Sequence, residues 1–419
     1  MSLIFNIIIL LSIIFFSINR LNKNYKLFYL FLYVYYQGII TSASLTFIET
    51  SIHITEQGRE SYFVGANFVF LIFFLLSILT LEFVVKLLDG KLYVNIPWFT
   101  INSKKIEFPI IYYLGIFILG LLLLNLLISE SALFNSHISR FNFWRNSKLA
   151  FLHNLFGNTA TFLPFMFGIA YLTKRKKALI LLVVYIVYLV FIGQKFSPII
   201  RSLYVFFIPW ILNSNLNFKF KFFKLLKSYF TLILIIPLGI VYIKYSIDNP
   251  FRYYGIDTPL EAMFYRAFGL QAHLFWGCVE QFVYVGEPKS WDLTELYKGM
   301  HVLMRYFWFG DLAHIEKSME NGYSFANAYP AILLKVFPLG VSYFFHTVLV
   351  AFILAPIIWL FKTSILKNRL LFSTFIFQFF NWTGISFIMG YFNKAVPGVL
   401  LIFMLSLYSF LIIRTKKKI

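Results

Sequence analysis

The stretch RAFGLQAHLFWG, residues 266–277, gathers an arginine, a glutamine, a histidine and a tryptophan in a chain that is 60% hydrophobic and only 13% charged. Read as one helix, it sets Arg266, Leu270, His273 and Gly277 at i, i+4, i+7 and i+11, within a sector of about 60°. Arginine offers a planar donor fork that fits phosphate or carboxylate oxygens, and imidazole is the side chain best suited to exchange a proton near neutrality. Gly277 leaves room for a bulky ligand or a second backbone, with Gln271 and Trp276 to either side. The same pattern fits an amphipathic helix lying on a bilayer surface, with Arg266 reaching headgroups and His273 merely hydrogen-bonded. Spacing leaves both readings open.

Other chemistries find less support. The seven histidines are scattered singly, without a His/Cys/Asp cluster at metal-ligand spacing or a paired Asp-x-Asp motif, so no metal site is expected. No nucleotide-binding loop, nucleophile elbow or haem motif is present, and no cofactor is expected. Cys278 is the only cysteine, which excludes an intrachain disulfide.

The elements that must position these residues are membrane helices. Apolar runs long enough to cross about 30 Å of hydrocarbon recur along the chain. The reading is an all-α, polytopic integral membrane protein, one membrane domain over 1–419. Eleven spans are expected, near 2–18, 27–48, 61–85, 108–128, 154–172, 178–193, 200–212, 228–247, 336–361, 370–388 and 397–413. The first lacks a basic leader and a cleavage site, so it reads as a retained span.

Charge tests this topology independently. With the amino terminus outside and the carboxy terminus inside, the inner segments hold 22 of the 37 Lys and Arg against only Asp89 and Glu107. The net charge of +20 therefore reads as anchoring toward anionic lipid, and no nucleic-acid partner is expected. Two larger outer segments remain, 129–153 and the 82-residue 249–330, which holds nine of the 17 acidic residues. Long inter-helical segments of this kind usually fold for a purpose. Only Glu82 lies clearly within a span, which gives an ion-coupled transporter little to work with.

The spacing Arg266-x10-Gly277, in a late outer loop of a basic multi-span chain of this length, resembles the O-antigen polymerase (Wzy) family of bacterial inner membranes. In that family an Arg-x10-Gly motif in a large periplasmic loop is associated with polymerisation. GQKFSPI at 193–199 and NGYSFANAYPAILL at 321–334, similar to the re-entry into the membrane of such polymerases, add to the likeness. A second copy of the motif is imperfect: Arg140 meets Phe151 at that spacing, and Arg145 reaches Gly157 one residue late.

The resemblance implies a lipid-donor glycosyltransferase acting at the periplasmic face, inverting and metal-independent. It would move a growing glycan from undecaprenyl pyrophosphate to a new lipid-linked repeat unit. Donor and acceptor oligosaccharides and membrane lipids are the implied partners, with a chain-length regulator, a flippase and a ligase of the same pathway. Within it His273 is the first choice of base and His314 the second, while Arg266 and Arg305 would clamp phosphate or a sugar carboxylate. Lys195 and Arg201 sit at an outward turn where a lipid pyrophosphate would lie; Gln271, Trp276 and Trp308 would hold sugars, and Gly277 would admit them. An O-antigen ligase of the same architecture and a lipid-linked oligosaccharide flippase are the alternatives.

Overall fold

A computed structural model describes residues 2–50, 63–91, 104–131, 143–151, 159–194, 196–214, 256–307 and 327–405, with isolated positions between 238 and 252. All regular structure among the described residues is helical. In chain order the helices are α1 Ser2–Lys23, α2 Tyr25–Leu30, α3 Leu32–Glu49, α4 Ala66–Lys91, α5 Lys104–Ile128, α6 Phe143–Asn146, α7 Thr159–Tyr171, α8 Arg175–Phe191 and α9 Phe196–Asn213. Then come α10 Pro259–Phe264, α11 His273–Val279, α12 Thr294–Lys298, α13 Met300–Phe307, α14 Ala331–Val336, α15 Leu339–Leu349, α16 Ala355–Leu366 and α17 Leu370–Met389.

The chain is a multi-pass membrane protein, with five helical stretches long and apolar enough to cross a bilayer among the described residues. They are Leu3–Lys23, Ala66–Asp89, Glu107–Ile128, Leu339–Leu366 and Leu370–Met389. Eleven spans were expected, and the difference has physical causes. The 27–48 run is interrupted at Phe31, and α3 carries Gln37, Thr41, Ser42, Ser44 and Thr46, most of them buried against protein. The 154–172 run is described as helix from Thr159 (α7), and α8 and α9 are the two distinct helices expected, separated by a turn at Gly193 (φ +76°), but short for spans. The expected 228–247 span and the end of 397–413 fall largely outside the described residues.

Two compact units are formed, one from Met1–Asn95, Asp248–Leu360 and Phe379–Ile419, the other from Ile96–Ile247 and Phe361–Gln378. In the second unit α7 packs on α5, α8 and α9. Gly168 makes the α7–α9 approach possible, because a Cβ there would lie 2.1 Å from the Phe206 carbonyl oxygen. Phe165 stacks on Phe377 at 4.5 Å, and Lys174 lies 4.3 Å over the Tyr112 ring. Buried Glu107 accepts hydrogen bonds from the backbone N–H groups of Leu370 (2.7 Å) and Leu371 (3.1 Å), capping α17 from another helix. An anion at a helix N-terminus satisfies orphan donors and meets the positive end of the dipole.

The first unit uses the same device. Buried Glu49, ending α3, accepts from the Asn67 N–H at 2.9 Å near the start of α4 and from Asn6 Nδ2 at 2.8 Å on α1. Asn67 in turn donates to Asn6 Oδ1 (2.9 Å) and accepts from Ser42 (2.8 Å), so three helices share one satisfied polar network. Toward the other end of α1 and α4, Glu82 meets Arg20 at 3.0 Å. Each of these acids has a structural partner.

The 249–330 segment, expected as an outer loop, is in part core. All seven residues of α11 are buried against α3, α4, α13 and α14. Fully burying one Leu or Phe side chain stabilises by roughly 1.5–3 kcal/mol, so this short helix is an anchor. Cys278 is buried in it, and desolvation pushes its thiol pKa up.

Candidate anion-binding site

The motif expected to form one helical face is instead a spliced break. Residues Tyr265–Gly269 form a π-turn continuing α10, the helix ends at Leu270, and α11 starts afresh at His273. Ser44 on α3 holds the break: its hydroxyl donates to the Gly269 carbonyl (2.8 Å) and accepts from the Ala272 N–H (3.1 Å). His273 is fully buried, with Nδ1 2.8 Å from the Leu270 carbonyl oxygen. Gln271 donates to the Arg266 carbonyl (3.1 Å), Asn327 donates to the Gln271 carbonyl (2.8 Å), and Trp276 Nε1 donates to the Phe63 carbonyl (3.3 Å).

Arg266 is exposed, whereas His273, Trp276 and Gly277 are buried and Gln271 is half-buried. The shared sector required an unbroken helix, and the π-turn and restart remove it. Arg201 is half-buried on α9 in the second unit, while Lys195, Trp308 and His314 lie outside the described residues, as does Arg140.

Arg305 stands in a different company. The Gly299–Phe307 segment turns Met300, Leu303, Met304 and Phe307 inward at i, i+3, i+4 and i+7, which leaves His301 and Arg305 at i and i+4 on the exposed face. Gly299 (φ +45°) seats this helix directly on the end of α17: a Cβ there would lie 2.3 Å from the Gly390 carbonyl oxygen. Gly390 is itself left-handed (φ +72°) and turns the chain into Tyr391 and the 3₁₀ turn Phe392–Lys394.

The close approach brings residues 90 positions apart to one place. The Tyr391 ring lies 5.1 Å from the His301 ring at 64°, and Lys394 Nζ sits 5.6 Å over Tyr391. Partial burial, then the positive charges of Arg305 and Lys394, hold the His301 pKa below its usual value. Burial pushes the Tyr391 hydroxyl up to about 12. The site thus combines two permanent cations, a phenol that stays protonated and an imidazole kept neutral at pH 7. Such a set can hold phosphate oxygens and accept a proton from a hydroxyl group.

The other buried histidine of this unit is fully occupied. His346 Nδ1 is 2.6 Å from the Tyr329 hydroxyl, and Nε2 is 2.8 Å from Ser77 Oγ and 3.1 Å from the Phe73 carbonyl, beside a cavity of about 50 Å³. It pins α15 to α4. Among the described residues no group of three or more His, Cys, Asp or Glu is arranged to hold a metal ion.

Sequence reasoning selected Arg305 but missed His301, Tyr391 and Lys394. Two signals were present: the His301/Arg305 spacing, and an outward lysine in the short 389–396 segment, against the usual charge bias. Residues 293–411 match a family of unknown function, DUF6418, and that stretch contains the whole cluster but not residues 266–277. No curated protein and no solved structure matches the chain.

Proposed function

We propose that this protein is a membrane glycosyltransferase of the lipid-donor kind, a polymerase of the O-antigen type working on undecaprenyl-pyrophosphate-linked glycans at the periplasmic face. The observation that carries the reading is the convergence of His301, Arg305, Tyr391 and Lys394 beside the end of a spanning helix. There the acceptor hydroxyl attacks the anomeric carbon of the donor glycan as the bond from that carbon to the pyrophosphate oxygen breaks. His301 takes the hydroxyl proton, Arg305 and Lys394 hold the departing lipid pyrophosphate, and Tyr391 donates a hydrogen bond to it. His273 and Arg266 have no role in this scheme; His273 is fully buried with Nδ1 against the Leu270 carbonyl, and Arg266 is exposed.

The satisfied carboxylates favour a transferase over an ion-coupled carrier. Glu49 and Glu107 cap helices and Glu82 pairs with Arg20, so none of these three is left to relay an ion.

Protein reconstituted in nanodiscs and supplied with lipid-pyrophosphate-linked repeat units is expected to lengthen them into a ladder. Arg305→Lys keeps the charge but loses the fork and should polymerise almost as poorly as Arg305→Ala. His301→Gln should slow turnover by ~10²–10⁴-fold with substrate retention unchanged. Wild-type ladders from both variants at equal abundance would sink the assignment. In a deletion strain, single capped units mark a lost polymerase, whereas bare core marks a lost ligase and would redirect the proposal.

A further inference from the structure

Residues 284–307 present several large apolar and aromatic side chains at the surface. Tyr284 is 71% exposed, Val285 60%, Trp291 60%, Leu293 54% and Tyr297 53%. Three of the charged side chains among them, Glu287, Lys289 and Glu295, are half-buried against the protein, while Asp292, Lys298 and Arg305 are exposed. Lys289 donates to the Phe282 and Glu287 carbonyls, and Glu287 accepts from the Tyr306 hydroxyl at 3.0 Å. Asp292 accepts from the N–H and hydroxyl of Thr294, both at 2.8 Å, and Glu295 is paired with Lys335 at 2.6 Å. Soluble surfaces rarely present this many large apolar and aromatic groups together.

The level of this segment is fixed at two points. The N–H groups of Ser290 and Trp291 donate to the Lys335 and Val336 carbonyls, both 3.2 Å, and the Trp291 ring lies 5.6 Å from Phe337, just before α15 begins at Leu339. Gly299 rests on Gly390, just after α17 ends at Met389. Leu339–Leu366 and Leu370–Met389 are consecutive spans, so the start of one and the end of the other lie at the same membrane surface. A segment tied to both is held at that surface.

We infer that residues 284–307 form an interfacial platform, with Tyr284, Val285, Trp291, Leu293 and Tyr297 seated in the headgroup–acyl boundary of the adjoining leaflet. Trp and Tyr concentrate at this depth because their rings are apolar and their edges polar. Exposed Lys298 adds a cation within reach of lipid phosphates. The inference stands without the transferase reading. If both hold, the platform places the His301 cluster at headgroup depth, where the pyrophosphate of a lipid-linked glycan already lies.

The test uses full-length protein, with buried Cys278 replaced by Ser, and single cysteines at Tyr284→Cys, Leu293→Cys and Tyr297→Cys. Phe352→Cys, on a 72% exposed position in the middle of the Leu339–Leu366 span, is the deep control. Each is labelled with a thiol-reactive fluorophore and placed in nanodiscs holding lipids with a nitroxide at the headgroup or deep in the acyl chain. The three platform sites should lose most fluorescence to the shallow nitroxide and the control to the deep one. Loss to a water-soluble nitroxide, with none to either lipid, would show a solvated surface and overturn the inference. Protection from all three quenchers, relieved on dilution to one copy per disc, would assign the face to a second protein copy and overturn it equally. No substrate is present, so the outcome is independent of whether the protein polymerises glycans.

Discussion

Replacing Gly299 by alanine isolates the contact that assembles the candidate site. Two costs add at this position. A non-glycine residue at φ +45°, ψ −112° lies outside the well-populated regions and costs about 1–3 kcal/mol. The new methyl group would also lie 2.3 Å from the Gly390 carbonyl oxygen, 2.4 Å from its carbon and 2.9 Å from the Met389 oxygen, all backbone atoms that no rotamer change can clear. Overpacking of that kind costs about 1–3 kcal/mol, for roughly 2–6 kcal/mol in all. Two other glycines separate the terms. Gly286 is left-handed (φ +83°) with nothing within 4 Å, so Gly286→Ala should lose only the conformational part. Gly384, inside α17 and also without close neighbours, should gain about 0.5–1 kcal/mol from helix propensity on changing to alanine. Cys278 is the only thiol and is fully buried, so a thiol-reactive dye reports unfolding directly. Melting temperatures should rank Gly384→Ala, wild type, Gly286→Ala, Gly299→Ala, from highest to lowest. If Gly299→Ala melts together with Gly286→Ala, α13 does not rest on Gly390, and the cluster around Tyr391 is not built as described.

Glu49→Ala should strip the acceptor from buried Asn6 and from the Asn67 N–H, at about 1–3 kcal/mol for each stranded donor, and Glu49→Gln should lose about half as much; equal melting of the two variants would contradict the capping role. His273→Gln should lower melting temperature by loosening the closure at Leu270 yet leave activity per folded molecule near wild type, so a turnover defect in fully folded protein would restore a chemical role to that ring. His301 titrates below its usual value in the folded protein, so the unfolded chain binds more protons as pH falls through about 6.5 and the His301 contribution to stability, complete above that value, is lost below it. Melting temperature between pH 7 and 5 should therefore fall less for His301→Gln than for wild type, and parallel curves would rule out the charge crowding by Arg305 and Lys394.

Long apolar runs carried their own message. Helices α1, α4, α5 and α17 begin and end within a few residues of the expected spans, since an unbroken stretch of Leu, Ile and Phe needs no partner to declare its environment. Helix α3 also lies close to its expected bounds but is less apolar than a lipid-facing span, because its Ser and Thr residues are satisfied by protein: Ser42 by Asn67, Ser44 by the break at Gly269. Hydropathy averaged over 27–48 cannot distinguish a helix facing lipid from one wrapped in other helices. In 249–330 the acidic residues drew attention to a loop, and nothing in the sequence marked the seven-residue α11, too short to register as a span and yet buried throughout. Glu49 and Glu107, which looked like loop charges, cap α4 and α17 through contacts that only the tertiary fold creates.

For the site, residue types were readable and their company was not. Arg305 could be chosen as an outward cation, and the same argument extends to Lys394 and, through its i, i+4 relation to Arg305, to His301. What joins them is the seating of one left-handed glycine on another, Gly299 on Gly390, and neither position announces the other in the chain. RAFGLQAHLFWG presents the converse case. Its spacing describes a face only while the helix continues, and no proline marks the stop at Leu270. The helix ends there because a hydroxyl from Ser44, more than two hundred residues earlier, takes up one carbonyl and one N–H that an α-helix would have paired internally. An arginine and a histidine seven residues apart therefore part company: Arg266 goes to the surface, and His273 goes to the core to close the break.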